Sequence, residues 1–162
     1  MIVVADTTPI SELAKVGYLD LLYELFEQVI LPQEVYSELT TGNHSATEIV
    51  STLSWLKVEQ ISDPKQVKVL RLTSNLDLGE VAAIILAEEL KADQLLIDER
   101  AARRVAKTRQ LPIIGTVGIL ILAKERGLID RVKPILDAMI KNGTRIGERL
   151  YLQALILSQE NE

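Results

Sequence analysis

The N-terminal stretch Met1-Ile2-Val3-Val4-Ala5-Asp6-Thr7-Thr8-Pro9-Ile10 reads as a strand followed at once by a helix. Its apolar, mostly β-branched run is typical of a strand buried on both faces of a parallel sheet. Pro9 suits the first turn of a helix, with Thr8 as the N-cap. The pattern therefore predicts Asp6 at the carboxyl end of a strand, which is the edge where α/β sheets bind ligands.

Three later segments bring another acid to a similar place. Asp98 ends the apolar run 94–97, Glu80 opens the very apolar helix that starts near Asp77, and Glu38 borders the apolar stripe of a helix over 33–40. Each acid also has a simpler interpretation. Asp6 would favour a helix dipole, Glu38 would be a surface acid, Glu80 would form a capping box with Asp77, and Asp98 would be an N-cap.

The order of elements predicts the fold class. Short apolar runs at 2–5, 28–31, 94–97 and 111–114 indicate buried strands, and 56–61 alternates like a half-exposed edge strand. Helical patterns lie between them, including one at 47–53, and two more follow at 131–142 and 146–158. We therefore expect an α/β fold with a doubly wound parallel sheet of about four to five strands, flanked by helices and extended by C-terminal helices.

Composition limits the function classes. The 162 residues contain 48% hydrophobic residues, which is enough for one domain with a substantial core. No apolar run reaches the roughly 18 residues that a membrane span needs, and no secretory signal is visible, so we expect no membrane partner and a cytoplasmic location. The net charge of −5 means that any nucleic-acid contact must come from a local basic patch.

The residue inventory also limits the chemistry. Cysteine is absent and His44, in a polar stretch that reads as a surface loop, is the only histidine, which argues against a zinc centre or a catalytic triad. Carboxylates must then carry any acid–base or metal chemistry. If the four acids converge, their repulsion requires a cation, and oxygen-only sites select Mg²⁺ or Mn²⁺, which serve phosphodiester chemistry. A basic helix face after Asp98 could contact the phosphates.

The four motifs in order resemble the PIN-domain ribonucleases. That family has a strand-ending Asp followed by Thr or Ser, a helical Glu, an acid at the start of the central helix and an Asp after the next strand. Over roughly the first 120 residues, the matching segments are Asp6-Thr7-Thr8, Val35-Tyr36-Ser37-Glu38-Leu39, Leu78-Gly79-Glu80 and Leu96-Ile97-Asp98-Glu99-Arg100. The resemblance implies that Asp6, Glu38, Glu80 and Asp98 are catalytic, metal-binding acids, with Thr7 or Thr8 steadying Asp6.

The resemblance also implies a biological setting. The chain looks like a prokaryotic VapC-type toxin of a less characterised branch: a Mg²⁺- or Mn²⁺-dependent endoribonuclease with an RNA substrate and an antitoxin partner. The apolar stripes of the last two helices, which include Tyr151 and Leu155, separately predict a C-terminal surface that forms a homodimer or receives an antitoxin helix. We expect a single PIN-like domain over 1–162, with a core at about 1–125 and a C-terminal helical extension at 131–159. The extension and the Glu at the third acid position depart from the family pattern.

Particular residues argue against two other classes of protein. A haloacid-dehalogenase-type phosphatase needs a second Asp two residues after the first, where this chain has Thr8. A dinucleotide-binding fold needs a glycine-rich first turn, which Asp6-Thr7-Thr8-Pro9 does not provide. The remaining alternative is a catalytically silent PIN-like module that binds RNA or protein.

Overall fold

A single parallel sheet forms the centre of the computed structural model, which describes residues 1–42 and 46–161. Its strands β1–β5 are Val3–Ala5, Val29–Pro32, Leu56–Glu59, Gln94–Leu96 and Ile113–Ile114. They are arranged in the order β3-β2-β1-β4-β5, and every pair is parallel. The first strand of the chain is therefore the central one, and the predicted α/β fold is confirmed.

Helices cover both faces of this sheet, because each parallel connection needs a crossover. The described residues form nine α-helices, α1–α9: Thr7–Lys15, Leu21–Phe26, Gln33–Thr41, Pro64–Thr73, Leu78–Leu90, Arg100–Thr108, Thr116–Glu125, Lys133–Lys141 and Glu148–Leu157. A short 3₁₀ helix occupies Val50–Thr52.

The sheet separates two apolar cores, and β1 contributes to both. Val3 and Ala5 pack with residues of α1, α2, α3, α7 and α8, whereas Val4 packs with residues of α4, α5 and α6. This alternation follows from the pleat, which points successive side chains to opposite faces. Helix α5 is buried on every side from Gly79 to Ala87, as its uniformly apolar sequence predicts.

Some local expectations were wrong. The segment 47–53 forms turns and the 3₁₀ helix in place of an α-helix. Thr8 is not an N-cap, because α1 begins at Thr7 and Asp6 occupies the capping position. Strand β3 lies at the sheet edge as expected, but only Leu56 in it is buried. The predicted loop around His44 lies outside the described residues.

The C-terminal segment is fastened to the domain through Glu160. This buried carboxylate accepts hydrogen bonds from the backbone amides of Val132 and Lys133, at 2.8 and 3.0 Å, and from Lys124 Nζ at 2.9 Å. Burial alone would raise the pKa of Glu160, but these hydrogen bonds lower it to about 2. The carboxylate therefore joins α7, the start of α8 and the end of the chain.

Helix α9 has one buried and one exposed apolar face. Ala154 and Leu155 are buried, while Leu152 and Ile156 are 49% and 58% exposed. Part of the predicted C-terminal stripe thus covers the domain's own core, and part of it faces solvent. Across the described ranges, no helix has the combined length and apolar character needed to cross a membrane.

Candidate active site at the carboxyl end of the sheet

Asp6 is the most deeply buried of the acids at the carboxyl end of the sheet. It follows β1 directly, its amide donates to the Leu96 carbonyl at 3.0 Å, and the residue is only 3% exposed. Burial raises the pKa of Asp6 from 3.8 to about 8, and the charges of Asp77, Glu80 and Glu38 act in the same direction, against the amide of Thr7. Without a cation, this carboxyl is therefore mostly protonated at neutral pH.

Glu38 approaches Asp6 from α3, and two residues arrange that approach. The hydroxyl of Thr7 donates to Glu38 Oε2 at 2.8 Å. Gly79, at the start of α5, leaves the necessary space. A Cβ at that position would lie 2.9 Å from Glu38 Oε2 and 3.4 Å from Asp6 Oδ1. Two carboxylates thus face the same point, which only a residue without a side chain leaves open.

Glu80 belongs to the same group but also caps a helix. Its carboxylate accepts from the Asp77 amide at 2.9 Å, and the Asp77 carboxylate accepts from the Glu80 amide at 2.8 Å, which forms the expected capping box. Burial, followed by the charges of Asp77, Glu99 and Glu38, raises the pKa of Glu80. Its charge therefore acts on the acidic group even though one of its oxygens is bonded to the backbone.

Asp98 lies in an adjoining group with different neighbours. One oxygen accepts from the Thr116 amide at 2.7 Å and the other from the Thr116 hydroxyl at 2.6 Å. Burial raises the pKa of Asp98, the two bonds to Thr116 and the charge of Arg103 lower it, and the charge of Glu12 raises it. Arg103 is itself fixed, because its guanidinium donates to the Ile97 carbonyl at 2.9 Å. Asp98 is not the N-cap of α6; Glu99 accepts from the Ala102 amide and has that role.

The register of the two central strands explains this division. Ala5 pairs with Leu96, so Asp6 is level with Ile97 and Asp98 lies one residue further along. Ile97 packs in the core that contains Val4, whereas Leu96 packs in the core that contains Val3. By the alternation of side chains, Asp6 continues toward α5 and Asp98 toward α7.

A comparison with family models assigns the chain to a family. A model described as a PIN domain matches residues 2–160. The chain belongs to the PIN-domain family. The match extends through the C-terminal helices, which the motif resemblance did not include. Neither the comparison with curated proteins nor that with solved structures yields a match.

Sequence reasoning on this PIN domain missed the residues around Asp98. Glu12 lies six residues beyond Asp6, in α1, and its negative charge raises the pKa of Asp98. Thr116 comes two residues after β5, which pairs with β4, so its position near a neighbouring strand end was the available signal. Arg103 lies on the basic helix after Asp98, but it is half-buried and bonded to the backbone.

The donor atoms of this PIN domain fit a small divalent cation. The Asp6 and Glu38 oxygens around Gly79 are hard ligands, and Mg²⁺ is commonly held by one or two carboxylates while it keeps several waters. Throughout residues 1–42 and 46–161, no three Asp, Glu, His or Cys side chains already surround one metal position. The residues thus offer a two-carboxylate seat, with Glu80 beside it and Asp98 in the adjoining group.

Proposed function

We propose that this PIN domain is a Mg²⁺- or Mn²⁺-dependent endoribonuclease, with Asp6 and Glu38 as the acids that bind the metal and with Glu80 and Asp98 as the other acids of the site. The observation that carries the proposal is the buried Asp6 carboxylate, which faces Glu38 across the space at Gly79. A deeply buried acid among other acids is costly unless a cation compensates it, and such perturbed groups concentrate at functional sites. PIN domains are in general nucleases, which agrees with this chemistry.

The side chains have distinct tasks in this proposal. Asp6 and Glu38 bind the cation, and Thr7 holds Glu38 in place through its hydroxyl. Thr116 orients both oxygens of Asp98, and Arg103 supplies a positive charge beside them. A bound divalent cation stabilises charge on a phosphodiester and provides an activated water for its hydrolysis.

The test is metal-dependent cleavage of RNA together with thermal unfolding. Wild-type protein should cut single-stranded RNA with Mn²⁺ or Mg²⁺ and stop in EDTA, and its melting temperature should rise when Mn²⁺ is added. Asp6→Asn should lose cleavage by orders of magnitude and most of the Mn²⁺ response. A variant that still cuts RNA and is indifferent to the metal contradicts the proposal.

A second candidate function is a binding module without catalysis. It is favoured by the bonds that already engage two of the acids, since both oxygens of Asp98 accept from Thr116 and Glu80 accepts from Asp77. In that case, purified protein binds RNA or a protein partner equally well with and without Mn²⁺, and no product appears with any divalent cation.

We further propose a toxin role with an antitoxin partner and a homodimeric state. The support is the resemblance to VapC-type toxins and the exposed apolar face of α9, where Leu152 and Ile156 face solvent. Expression in a bacterial host should arrest growth, and Asp6→Asn should abolish that arrest while the protein level stays the same. Growth arrest that persists in the variant argues against a toxic nuclease.

A further inference from the structure

A hollow of about 580 Å³ lies between α3, α4 and the start of α5. This volume is within the usual range of small-molecule sites. The four acids of the proposed site do not line it, although Ser37 and Leu78 in its wall are the chain neighbours of Glu38 and Gly79. The hollow is therefore a separate concavity beside the two-carboxylate seat.

Two cations in the wall of this hollow have no acidic partner. Lys68 and Arg71 are exposed, and neither forms an ion pair with an acid in the described part of the chain. By contrast, Arg109 pairs with Glu88 at 2.6 Å. Residues three positions apart on a helix are neighbours, so these two side chains on α4 can hold one phosphate group with charge-assisted hydrogen bonds. This part of the hollow therefore suits an anion.

Glu34, in the first turn of α3, also lines the hollow and has the opposite requirement. One of its carboxylate oxygens, Oε1, is enclosed by the protein and accepts no hydrogen bond from the described residues. A buried acceptor without a donor is costly, so such an atom calls for an explanation. The neighbouring Gln33 is already engaged, because its amide donates to the Ser37 hydroxyl at 3.1 Å. An N–H group of a ligand would supply the donor that Glu34 lacks.

The rest of the wall is apolar or neutral. Ile61, Val67 and Leu78 contribute an apolar surface, which favours a flat ring. Ser37 and Gln60 add neutral polar groups, which suit the hydroxyls of a sugar. The hollow thus combines a carboxylate acceptor, a surface for a ring, groups for a sugar and two cations, which together match the parts of a nucleotide.

Among the nucleobases, guanine fits a carboxylate best. Its Watson–Crick edge presents two adjacent donors, N1–H and the N2 amino group, which the two oxygens of one carboxylate can accept together. Adenine and cytosine have an acceptor beside their amino group, and uracil has a carbonyl on each side of its N–H. A carboxylate that lacks a donor therefore selects guanine.

We infer that this hollow binds a free guanine nucleotide, with the guanine edge on Glu34 and the phosphate on Lys68 and Arg71. The site uses neither the metal seat nor a nucleic-acid chain, so the inference goes beyond the proposed function. Glu34 and Glu38 lie one turn apart on α3, so the nucleotide is held next to the two-carboxylate seat.

The base preference is tested by isothermal titration calorimetry in EDTA, which keeps metal out of both sites. The probe is 5′-GMP. The comparison ligand 5′-IMP differs only in lacking the N2 amino group, and it should bind about tenfold more weakly, since one hydrogen bond to a charged group is lost. The ligand 5′-AMP should bind more weakly than either.

The contacts are tested by variants of the wall. Lys68→Gln/Arg71→Gln should weaken GMP binding by about tenfold or more but leave the binding of guanosine, which has no phosphate, unchanged. The matched control Arg104→Gln/Lys107→Gln makes the same charge change at the same spacing on α6 and should bind GMP like wild type. Glu34→Gln keeps the size of the side chain and should remove most of the preference for GMP over IMP. Circular dichroism verifies that each variant is folded.

The outcomes are decisive for the nucleotide site. GMP that does not bind at millimolar concentration, or that binds no better than AMP, overturns the inference. GMP affinity that is unchanged in the α4 variant places the nucleotide elsewhere and also overturns it. A guanine-containing oligoribonucleotide that binds while GMP does not would assign the hollow to an RNA chain, which again rejects the free nucleotide. Asp6→Asn should bind GMP like wild type, so a failure of the nuclease proposal and a failure of this inference are separate results.

Discussion

Replacing Asp6 with Asn should stabilise the metal-free protein, and increasingly so as the pH rises. The pKa of this carboxyl is about 8 in the folded protein, against 3.8 for an ordinary aspartate. Between these values the folded state holds a proton that the unfolded state has released, so the stability of the wild type falls with increasing pH. Asp6→Asn has no such titration but retains the shape and an oxygen acceptor.

The magnitude follows from the two pKa values. At about 1.4 kcal/mol per pH unit, the Asp6 contribution to stability falls by about 3 kcal/mol between about pH 5 and about pH 7.5. Water penetration reduces such costs, so we expect the advantage of the variant to grow by about 1–3 kcal/mol over this interval. Glu80 and Asp98, whose pKa values are also raised, are present in both proteins, and their effects largely cancel in the difference.

The assay is urea unfolding in EDTA, followed by circular dichroism at several pH values. The control is Asp20→Asn, at an exposed position before α2 with no side-chain capping bond, where the pH dependence should equal that of the wild type. A calorimetric measurement adds a second check. Near pH 7, Mn²⁺ binding should release about one proton from the wild type and less from Asp6→Asn. An Asp6→Asn variant that is less stable than the wild type, with the same pH slope, refutes the reasoning.

Three further results are expected. Glu160→Gln should lower the free energy of unfolding by up to about 3 kcal/mol at neutral pH, because the pKa of Glu160 is about 2 in the folded protein against 4.5 ordinarily. This contribution is complete above about pH 4.5, so the difference between variant and wild type in chemical unfolding should vanish as the pH falls toward 2. Gly79→Ala should change the free energy of unfolding by less than about 1 kcal/mol, because the higher helix propensity of alanine offsets the crowding at Glu38. The new methyl group should nevertheless displace Glu38 and reduce the rise in melting temperature that Mn²⁺ causes. An unchanged rise would count against the two-carboxylate seat. Leu152→Lys/Ile156→Lys should convert a homodimer to a monomer in sedimentation velocity, and a wild-type protein that is already monomeric at micromolar concentration would disprove the dimer.

The sequence alone was sufficient to predict the parallel sheet and the edge of the sheet at which the acids lie. Buried parallel strands leave a strong signal in the sequence, because both faces are apolar, and the apolar runs 2–5 and 94–97, which contain β1 and β4, each come just before an aspartate. The uniformly apolar α5 likewise predicted its burial. These features depend on patterns that are continuous along the chain, so no knowledge of tertiary contacts was needed.

Where local chemistry competes with the helical pattern, the sequence was less informative. In the segment 47–53, the Thr47 hydroxyl bonds to the Gly42 carbonyl and the Thr52 hydroxyl to the Ile49 carbonyl. Such side-chain bonds satisfy backbone groups locally and compete with a continuous helix. At the start of α1, the Thr7 hydroxyl is engaged by Glu38, a contact between residues far apart in the chain that no local pattern contains.

Strand ends alone did not show that the four acids form two groups, with Asp98 apart from Asp6, Glu38 and Glu80. Both aspartates follow strands, but the face that each one enters depends on the register between β1 and β4, and a shift of one residue exchanges the faces. That register is set by packing on both sides of the sheet. The sequence therefore indicated that Asp6 and Asp98 share an edge, but it did not indicate that Asp98 turns to Thr116.

The central position of β1 has a consequence for the order of events during synthesis. Strand β1 is made before α5 and β4, but its pocket closes only after α5 packs over Asp6 and β4 pairs along its other side. Contacts between segments so distant in the chain form late, since the intervening loop must first be ordered. A nascent chain thus carries an unassembled carboxylate seat until β4 has been translated. On the proposed function, the enzyme cannot act on the message that encodes it until the codons for β4 have been read.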